Sequence, residues 1–284
     1  MSVADSALGI EIGTHYIKVV RLAHRPRGVR LLSADILRLP KDRANLVEVV
    51  HRFFESKDLL SHPCALCTPM FFSMLHTIEV PEDDPRTEEE IVLVERERLD
   101  DISEEEMVYD SISLPTDSTH RTILMAMARD AAVQRLLHVP DSIGLNVTRI
   151  VPAAVAIFNA SLPADLGHSD AIMCAHIGQT VTHVAIGTRH GILFARHFDI
   201  GGARFTASLA EGMGISTREA EDIKIRYGFS VGEEKADPTA TTALEEIADA
   251  WMAELMSTLE FYRERFPDKE APMRLVLSGG GAEL

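Results

Sequence analysis

The amino-acid sequence predicts an α/β protein made of two related halves, the first carrying a small α+β insertion. Three observations carry this prediction. A unit of strand, glycine turn, strand, glycine-containing turn and strand opens the chain, and a second copy of it begins 165 residues later. Between the copies lies a densely charged block that neither copy contains. A spacing of this size marks duplicated halves, because solenoid repeats run only ~20–50 residues.

The first unit is Leu8-Gly-Ile-Glu-Ile-Gly-Thr-His-Tyr-Ile-Lys-Val-Val-Arg-Leu22, with β-branched residues on both sides of a tight turn at Gly13-Thr14. A turn holding Pro26 and Gly28 leads to a third strand at 29–39. Helical spacing follows at 43–56, then strands near 64–68 and 73–80. Thr87 and Glu90 form a capping-box pattern that opens a charged helix at 88–99. Strands near 107–114 and 121–128 complete the insertion, drawn at 68–128. A helix at 130–143, a strand at 146–150 and a helix at 152–160 with Pro152 in its first turn close the first half, which comprises 1–67 and 129–160.

The second half, 161–284, repeats strand, turn and strand at 171–186, turns at Gly191 and adds a strand at 192–198. Superimposing Gly13 on Gly178 pairs Ile12 with Ile177, Glu11 with His176, Thr14 with Gln179 and Val19 with Val184. Helices follow at 201–213, 217–226 and 241–265, and an apolar strand at 273–277 runs into Ser278-Gly-Gly-Gly-Ala282.

Composition narrows the function. The 284 residues, 46% hydrophobic and 25% charged, leave room for full cores. The 28 basic and 44 acidic side chains sum to −16, which argues against a general nucleic-acid binder, since phosphate neutralisation needs a basic surplus. Residues 82–110 hold 14 acidic and three basic side chains, so −11 of that charge belongs to the insertion. Such a face either solvates a helix or steers a basic partner. No apolar run approaches the ~20 residues that span a bilayer, and no basic segment precedes an apolar one at the N-terminus, so a cytoplasmic chain without direct membrane insertion is expected. Three cysteines fit a reducing compartment. Cys64 and Cys67 match C-x-x-C, but a strand sends i and i+3 to opposite faces, and no second metal pair accompanies them.

Four glycine clusters are candidates for binding an anion. The turns Gly13-Thr14-His15 and Gly178-Gln179-Thr180 present backbone N–H groups and small polar side chains. Asp199-Ile-Gly-Gly-Ala203 places Gly201 and Gly202 ahead of a helix, where N–H groups and the macrodipole favour negative charge. Leu275-Val-Leu-Ser-Gly-Gly-Gly-Ala282 offers Gly279, Gly280 and Gly281 as a bed for a flat ring or a phosphate. A hairpin or a strand-to-helix connection explains any one of these, but not readily all four.

In order and spacing these segments resemble the ATP-binding fold shared by actin, Hsp chaperones and sugar kinases, over essentially the whole chain. Leu8-Gly-Ile-Glu-Ile-Gly-Thr-His-Tyr-Ile-Lys18 resembles its first phosphate motif, Ala175-His-Ile-Gly-Gln-Thr-Val-Thr182 its second, and residues 275–282 its adenosine motif. Ala220-Glu-Asp-Ile-Lys-Ile-Arg-Tyr-Gly228 is similar to the helix whose Glu and Lys face the nucleoside in the FtsA and PilM branches. The insertion, with Ile78-Glu-Val-Pro81, and the connection Gly144-Leu-Asn-Val-Thr-Arg-Ile-Val-Pro-Ala-Ala154 are most similar to the PilM-like family of type IV pilus assembly.

This resemblance implies an actin-like duplicated ATPase fold, two RNase H-like halves around a nucleotide cleft. ATP or ADP would be held by Gly13, Thr14, His15, Lys18, Gly178, Gln179, Thr180, Gly201, Gly202, Glu221, Lys224, Gly279, Gly280 and Gly281. It implies a cytoplasmic scaffold, peripheral to the inner membrane through the cytosolic tail of an inner-membrane pilus or secretion protein, with self-association open. The alternatives are a degenerate secretion-platform protein that binds no nucleotide, and a small-molecule kinase. Met70, Phe71 and Phe72, at the start of the insertion, are candidate partner contacts.

The chain departs from the family pattern at two carboxylates that hold magnesium, where Glu11 and His176 stand in place of Asp. Mg2+ demands oxygen ligands, so hydrolysis should be weak or absent and no catalytic residue is nominated. The relatives' helix after the adenosine motif is not present, so the second half is expected to be truncated.

Overall fold

The computed structural model describes residues 6–26, 28–40, 42–68, 73–100, 106–115, 120–167, 170–229 and 238–284. The chain forms two compact units. Unit 1 takes Met1–His76, Asp83–Ile112 and Met125–Ala156, and unit 2 takes Thr77–Glu82, Ser113–Leu124 and Ile157–Leu284.

Unit 1 is built on a five-stranded sheet in the order β3(Gly28–Arg38), β2(Tyr16–Arg25), β1(Ser6–Ile12), β4(Pro63–Thr68), β8(Asn146–Pro152). β1, β2 and β3 form an antiparallel meander, while β4 lies parallel to β1 and β8 parallel to β4. Parallel neighbours need crossovers, and α1(Leu46–Ser56) and α3(Asp130–Ser142) lie on those two connections. Period-2 alternation sends Leu8, Ile10, Ile17, Val19, Cys64 and Leu66 into one core, where Val50 and Phe54 of α1 meet them at i,i+4 spacing.

Unit 2 repeats the plan with β11(Gly191–Phe198), β10(Thr182–Thr188), β9(Ile172–Ile177), β12(Arg274–Ser278), in which β12 runs parallel to β9 as β4 does to β1. Its core joins Ala175, Val184, Ile186 and Phe198 of the sheet to Trp251, Leu255, Tyr262 and Phe266. Of these, Trp251, Leu255 and Tyr262 come from α7(Pro238–Arg265). A second core packs α5(Gly202–Met213) and α6(Thr217–Tyr227) on α7 through Phe205, Leu209, Ala220 and Leu244.

A three-stranded sheet, β5(Ser73–Pro81), β7(His120–Arg129), β6(Met107–Leu114), accompanies α2(Glu88–Asp100). Thr87 and Glu90 close the expected capping box: the Thr87 N–H donates to Glu90 Oε2 at 2.7 Å and the Glu90 N–H to Thr87 Oγ1 at 3.3 Å. Residues 68–128 are shared between the units. In unit 2, Thr77 Oγ1 donates to the Leu193 carbonyl at 2.5 Å, and Lys269 pairs with Glu79 at 2.9 Å.

Element boundaries moved where local chemistry competes with pattern. Pro152 ends β8, opposite Thr68, and α4 starts after it at Ala153–Ser161. A strand end tolerates a residue without an N–H. Helix α1 starts at Leu46 rather than at 43, because the Asp42 carboxylate accepts the Ala44 N–H and holds a turn there.

Candidate functional site

The first turn is a two-residue loop. The Gly13 N–H closes it on the Tyr16 carbonyl at 2.9 Å, leaving Thr14 and His15 at the tip. The Thr14 carbonyl accepts from Arg43 Nη2 at 2.8 Å and the His15 carbonyl from the Leu39 N–H at 2.8 Å. Beside it Lys18 pairs with Glu11 at 3.1 Å, with the two side chains 47% and 45% exposed. An ion pair so exposed contributes ~0–1 kcal/mol, so it can give way to a ligand.

The second turn is built alike, with the Gly178 N–H on the Val181 carbonyl at 2.9 Å and Gln179 and Thr180 at the tip. Its carbonyls receive the first turn of α5: the Gly202 N–H donates to Gly178 at 2.9 Å and the Ala203 N–H to Gln179 at 2.7 Å. These donors are therefore spent inside the protein. A Cβ on Gly201 would lie 2.7 Å from the Gly178 carbonyl oxygen and 2.8 Å from the Gln179 carbonyl carbon, so glycine is needed there for the two loops to touch. Behind them Thr182 Oγ1 donates to the Ile200 carbonyl at 2.6 Å, and the single tryptophan, Trp251, donates to Thr182 Oγ1 at 3.0 Å.

Helix α6 delivers Glu221 and Lys224 to this cluster. A capping box between Ser216 and Glu219 sets where the helix starts. Lys224, only 7% exposed, donates to the Gly202 carbonyl at 3.0 Å, Thr206 Oγ1 at 2.8 Å and Glu221 Oε2 at 2.7 Å. Three bonds use all the donors of an ammonium group. Thr206 also bonds Glu221 Oε2. Burial pushes the Glu221 carboxyl up, but the bonds from Lys224 and Thr206 and the Lys224 charge outweigh it and hold the group below its usual range.

The glycine run after β12 packs on the end of β9. Gly279 sits at φ +87°, and a Cβ there would lie 2.4 Å from the Ile177 carbonyl oxygen, while one on Gly281 would lie 2.2 Å from Ile177 Cγ2. Nothing stands within 4 Å of a Cβ on Gly280, so that position faces open space. His176 Nδ1 lies 3.1 Å from Ser278 Oγ, which ties the second turn's strand to the glycine run.

His176, His183 and His197 face one another across β9, β10 and β11, with adjacent ring centroids 6.3 Å apart. Burial, then the neighbouring His176 and His197, push the His183 imidazole down to about 4, and its Nδ1 is buried with no hydrogen-bond partner among the described residues. A base whose folded pKa lies below its unfolded value of about 6.5 binds protons preferentially in the unfolded chain. Its contribution is whole above pH ~6.5 and is lost as pH falls toward 4, by up to roughly 3 kcal/mol. Urea titrations of His183→Gln and the unsubstituted protein should diverge with pH across that window, the variant losing less stability on acidification; parallel curves would refute the assignment.

The magnesium ligands that the resemblance implies do not fit that ion. Glu11 keeps a carboxylate, beside Lys18, but His176 offers an imidazole nitrogen, already beside Ser278, where Mg2+ demands oxygen. Burial pushes the Cys64 thiol up to about 11 and that of Cys67 to about 12, which disfavours the reactive thiolate. Met70, Phe71 and Phe72 lie outside the described residues. Sequence reasoning missed Arg43, Thr206 and Ser278. Only Ser278, inside a named motif, carried a local signal.

Two units with the same sheet plan and the same glycine turn make up an actin-like fold, and solved structures agree in fold. The chain is similar to a protein of a PilM–PilN type IV pilus biogenesis complex, at 21% identity and TM-score 0.77, covering 98% of this chain and 82% of that one. The ethanolamine utilization protein EutJ from Carboxydothermus hydrogenoformans matches at 16% identity and TM-score 0.53, covering 98% and 78%. MreB5 of Spiroplasma citri, solved with ADP, matches at 14% identity and TM-score 0.50, covering 99% and 86%. Among curated proteins none matches in sequence. Residues 9–284 match the family of the type IV pilus assembly protein PilM, and the chain belongs to that family.

Proposed function

We propose that this chain is a cytoplasmic actin-like scaffold of a type IV pilus or related secretion machine. It binds ATP or ADP through its glycine turns and docks the cytosolic tail of an inner-membrane partner. One observation carries the nucleotide reading: in unit 2, the turn at Gly178, the first turn of α5, Glu221 and Lys224 of α6 and the run Gly279–Gly281 come together from segments some hundred residues apart. The ADP bound in the related MreB5 supports it. In unit 2, with the Gly178 and Gly202 donors spent internally, phosphate contact falls to the tip of the turn, Gln179 and Thr180; in unit 1, with the Gly13 donor spent, the corresponding candidates are Thr14, His15 and Lys18 released from Glu11. Gly280 offers the open surface for the base.

The residues fit a nucleotide held without Mg2+, so binding outlasts hydrolysis. Trp251, tied through Thr182 to the second turn, reports on it: ATP should change its fluorescence saturably with or without Mg2+, while phosphate release stays near background. Absence of saturable binding would favour the degenerate platform protein. Restoring a carboxylate with His176→Asp should raise turnover.

The partner reading is supported by the PilM–PilN complex among the matches and by the acidity of residues 82–110. Among the described residues no helix is long and apolar enough to cross a membrane. Charge reversal at the exposed Glu89 and Glu97 should weaken binding of a basic tail peptide, increasingly so at low salt. Unchanged affinity would move the docking site elsewhere.

A further inference from the structure

The N–H of a residue points opposite to the carbonyl of the residue before it, because both belong to one planar trans peptide. In the second turn the Gly178 and Gln179 carbonyls are drawn toward α5 by the N–H groups of Gly202 and Ala203. The N–H groups of Gln179 and Thr180 are therefore turned away from α5, side by side, as adjacent donors that an anion can accept.

The first turn needs the same orientation but has no helix start to provide it. Its tip peptide, between Thr14 and His15, corresponds to that between Gln179 and Thr180, and α1 begins only at Leu46. Here the Thr14 carbonyl accepts from Arg43 Nη2 at 2.8 Å, where Gln179 accepts from the Ala203 N–H at 2.7 Å. The tip peptide of a turn is its soft element: flipping it converts type I into type II and reverses the N–H. Type II requires positive φ at the second tip residue, and among the described residues Asp58 is the only non-glycine with positive φ.

We propose that Arg43 is the positioning residue of the first turn, its guanidinium doing for the Thr14 carbonyl what the α5 N–H does for Gln179, so that the His15 N–H is held outward as a phosphate donor. This rests on the nucleotide reading above and adds that Arg43 acts through the peptide rather than by touching the ligand. The duplication thus keeps one geometry by two means, a main-chain donor in one unit and a side chain in the other.

The test measures ATP affinity in three full-length proteins: unsubstituted, Arg43→Ala, and Arg43→citrulline, a neutral side chain that keeps N–H donors and nearly the same reach. Arg43→Ala should weaken ATP about fivefold, the scale of one net hydrogen bond. Citrulline should restore affinity to within about twofold, and without ATP the residual dipolar coupling of the His15 N–H should change in the alanine variant alone. Unaltered affinity in Arg43→Ala overturns the proposal, and so does a citrulline protein as weak as the alanine one, which would mark direct charge contact with phosphate. If the unsubstituted protein binds no ATP, the proposed function fails separately. The ligand-free coupling then decides the orientation claim, and an unchanged value in Arg43→Ala overturns it.

Discussion

Alanine at position 279 should destabilise the protein by about 3 kcal/mol, since it combines a left-handed backbone with a backbone clash. Gly279 holds φ +87°, and its Cβ would fall 2.4 Å from the Ile177 carbonyl oxygen, a main-chain atom inside the β9 ladder that cannot swing aside. Relief requires the run 279–281 to lift from β9, taking Ser278 from His176. Urea unfolding should show the loss, and ATP binding should fall with it. Gly280→Ala is the control: it meets no atom within 4 Å, so stability should hold while a bulkier side chain there obstructs a ligand. Equal stability of Gly279→Ala and the unsubstituted protein would mean the glycine run does not seat on β9.

Lys224→Met should cost about 2–3 kcal/mol, below the upper range for breaking a buried pair because Glu221 keeps contact with water. The substitution preserves length but strips donors from the Gly202 carbonyl, Thr206 and Glu221 together. Much of the loss should come from the abandoned carboxylate, so the double variant Lys224→Met, Glu221→Gln should recover a measurable part. A double variant no better than the single one would show that the bond to Gly202, rather than charge compensation, carries the energy. Stability in Glu221→Gln alone should also lose the part that depends on an ionised carboxylate. That part is present above the ordinary glutamate range and is lost as pH falls below that range through the lowered folded pKa.

Much of the fold was legible because its signals are local. Strand alternation in β1, β2, β9 and β10, the capping residues Thr87 and Glu90, and the glycine turns each depend on neighbours within a few positions. The two Gly13 and Gly178 turns form the same two-residue closure, as their superposition requires. Residues 68–128 were less legible. Their strands alternate convincingly, but whether Thr77 belongs with its sequence neighbours or with Leu193 depends on a bond across 116 positions.

The roles of the site residues show the same division. Resemblance nominated Gly201, Gly279 and Gly281 as ligand contacts, and the structure adds that each has protein atoms where a Cβ would stand, so packing also calls for glycine there. Lys224 was nominated to face a nucleoside, and its donors are committed to Gly202, Thr206 and Glu221.

By itself the sequence determined the duplicated α/β plan, the family and the concentration of acidity at 82–110, because periodicity, motif order and charge are written along the chain. Only the tertiary structure decided which N–H groups are already bonded inside the protein, that Arg43 donates to the Thr14 carbonyl, and that Lys18 lies beside Glu11. The physical reason is that an N–H or an ammonium group can be counted in a sequence, but whether it is already satisfied depends on acceptors that folding brings from far along the chain.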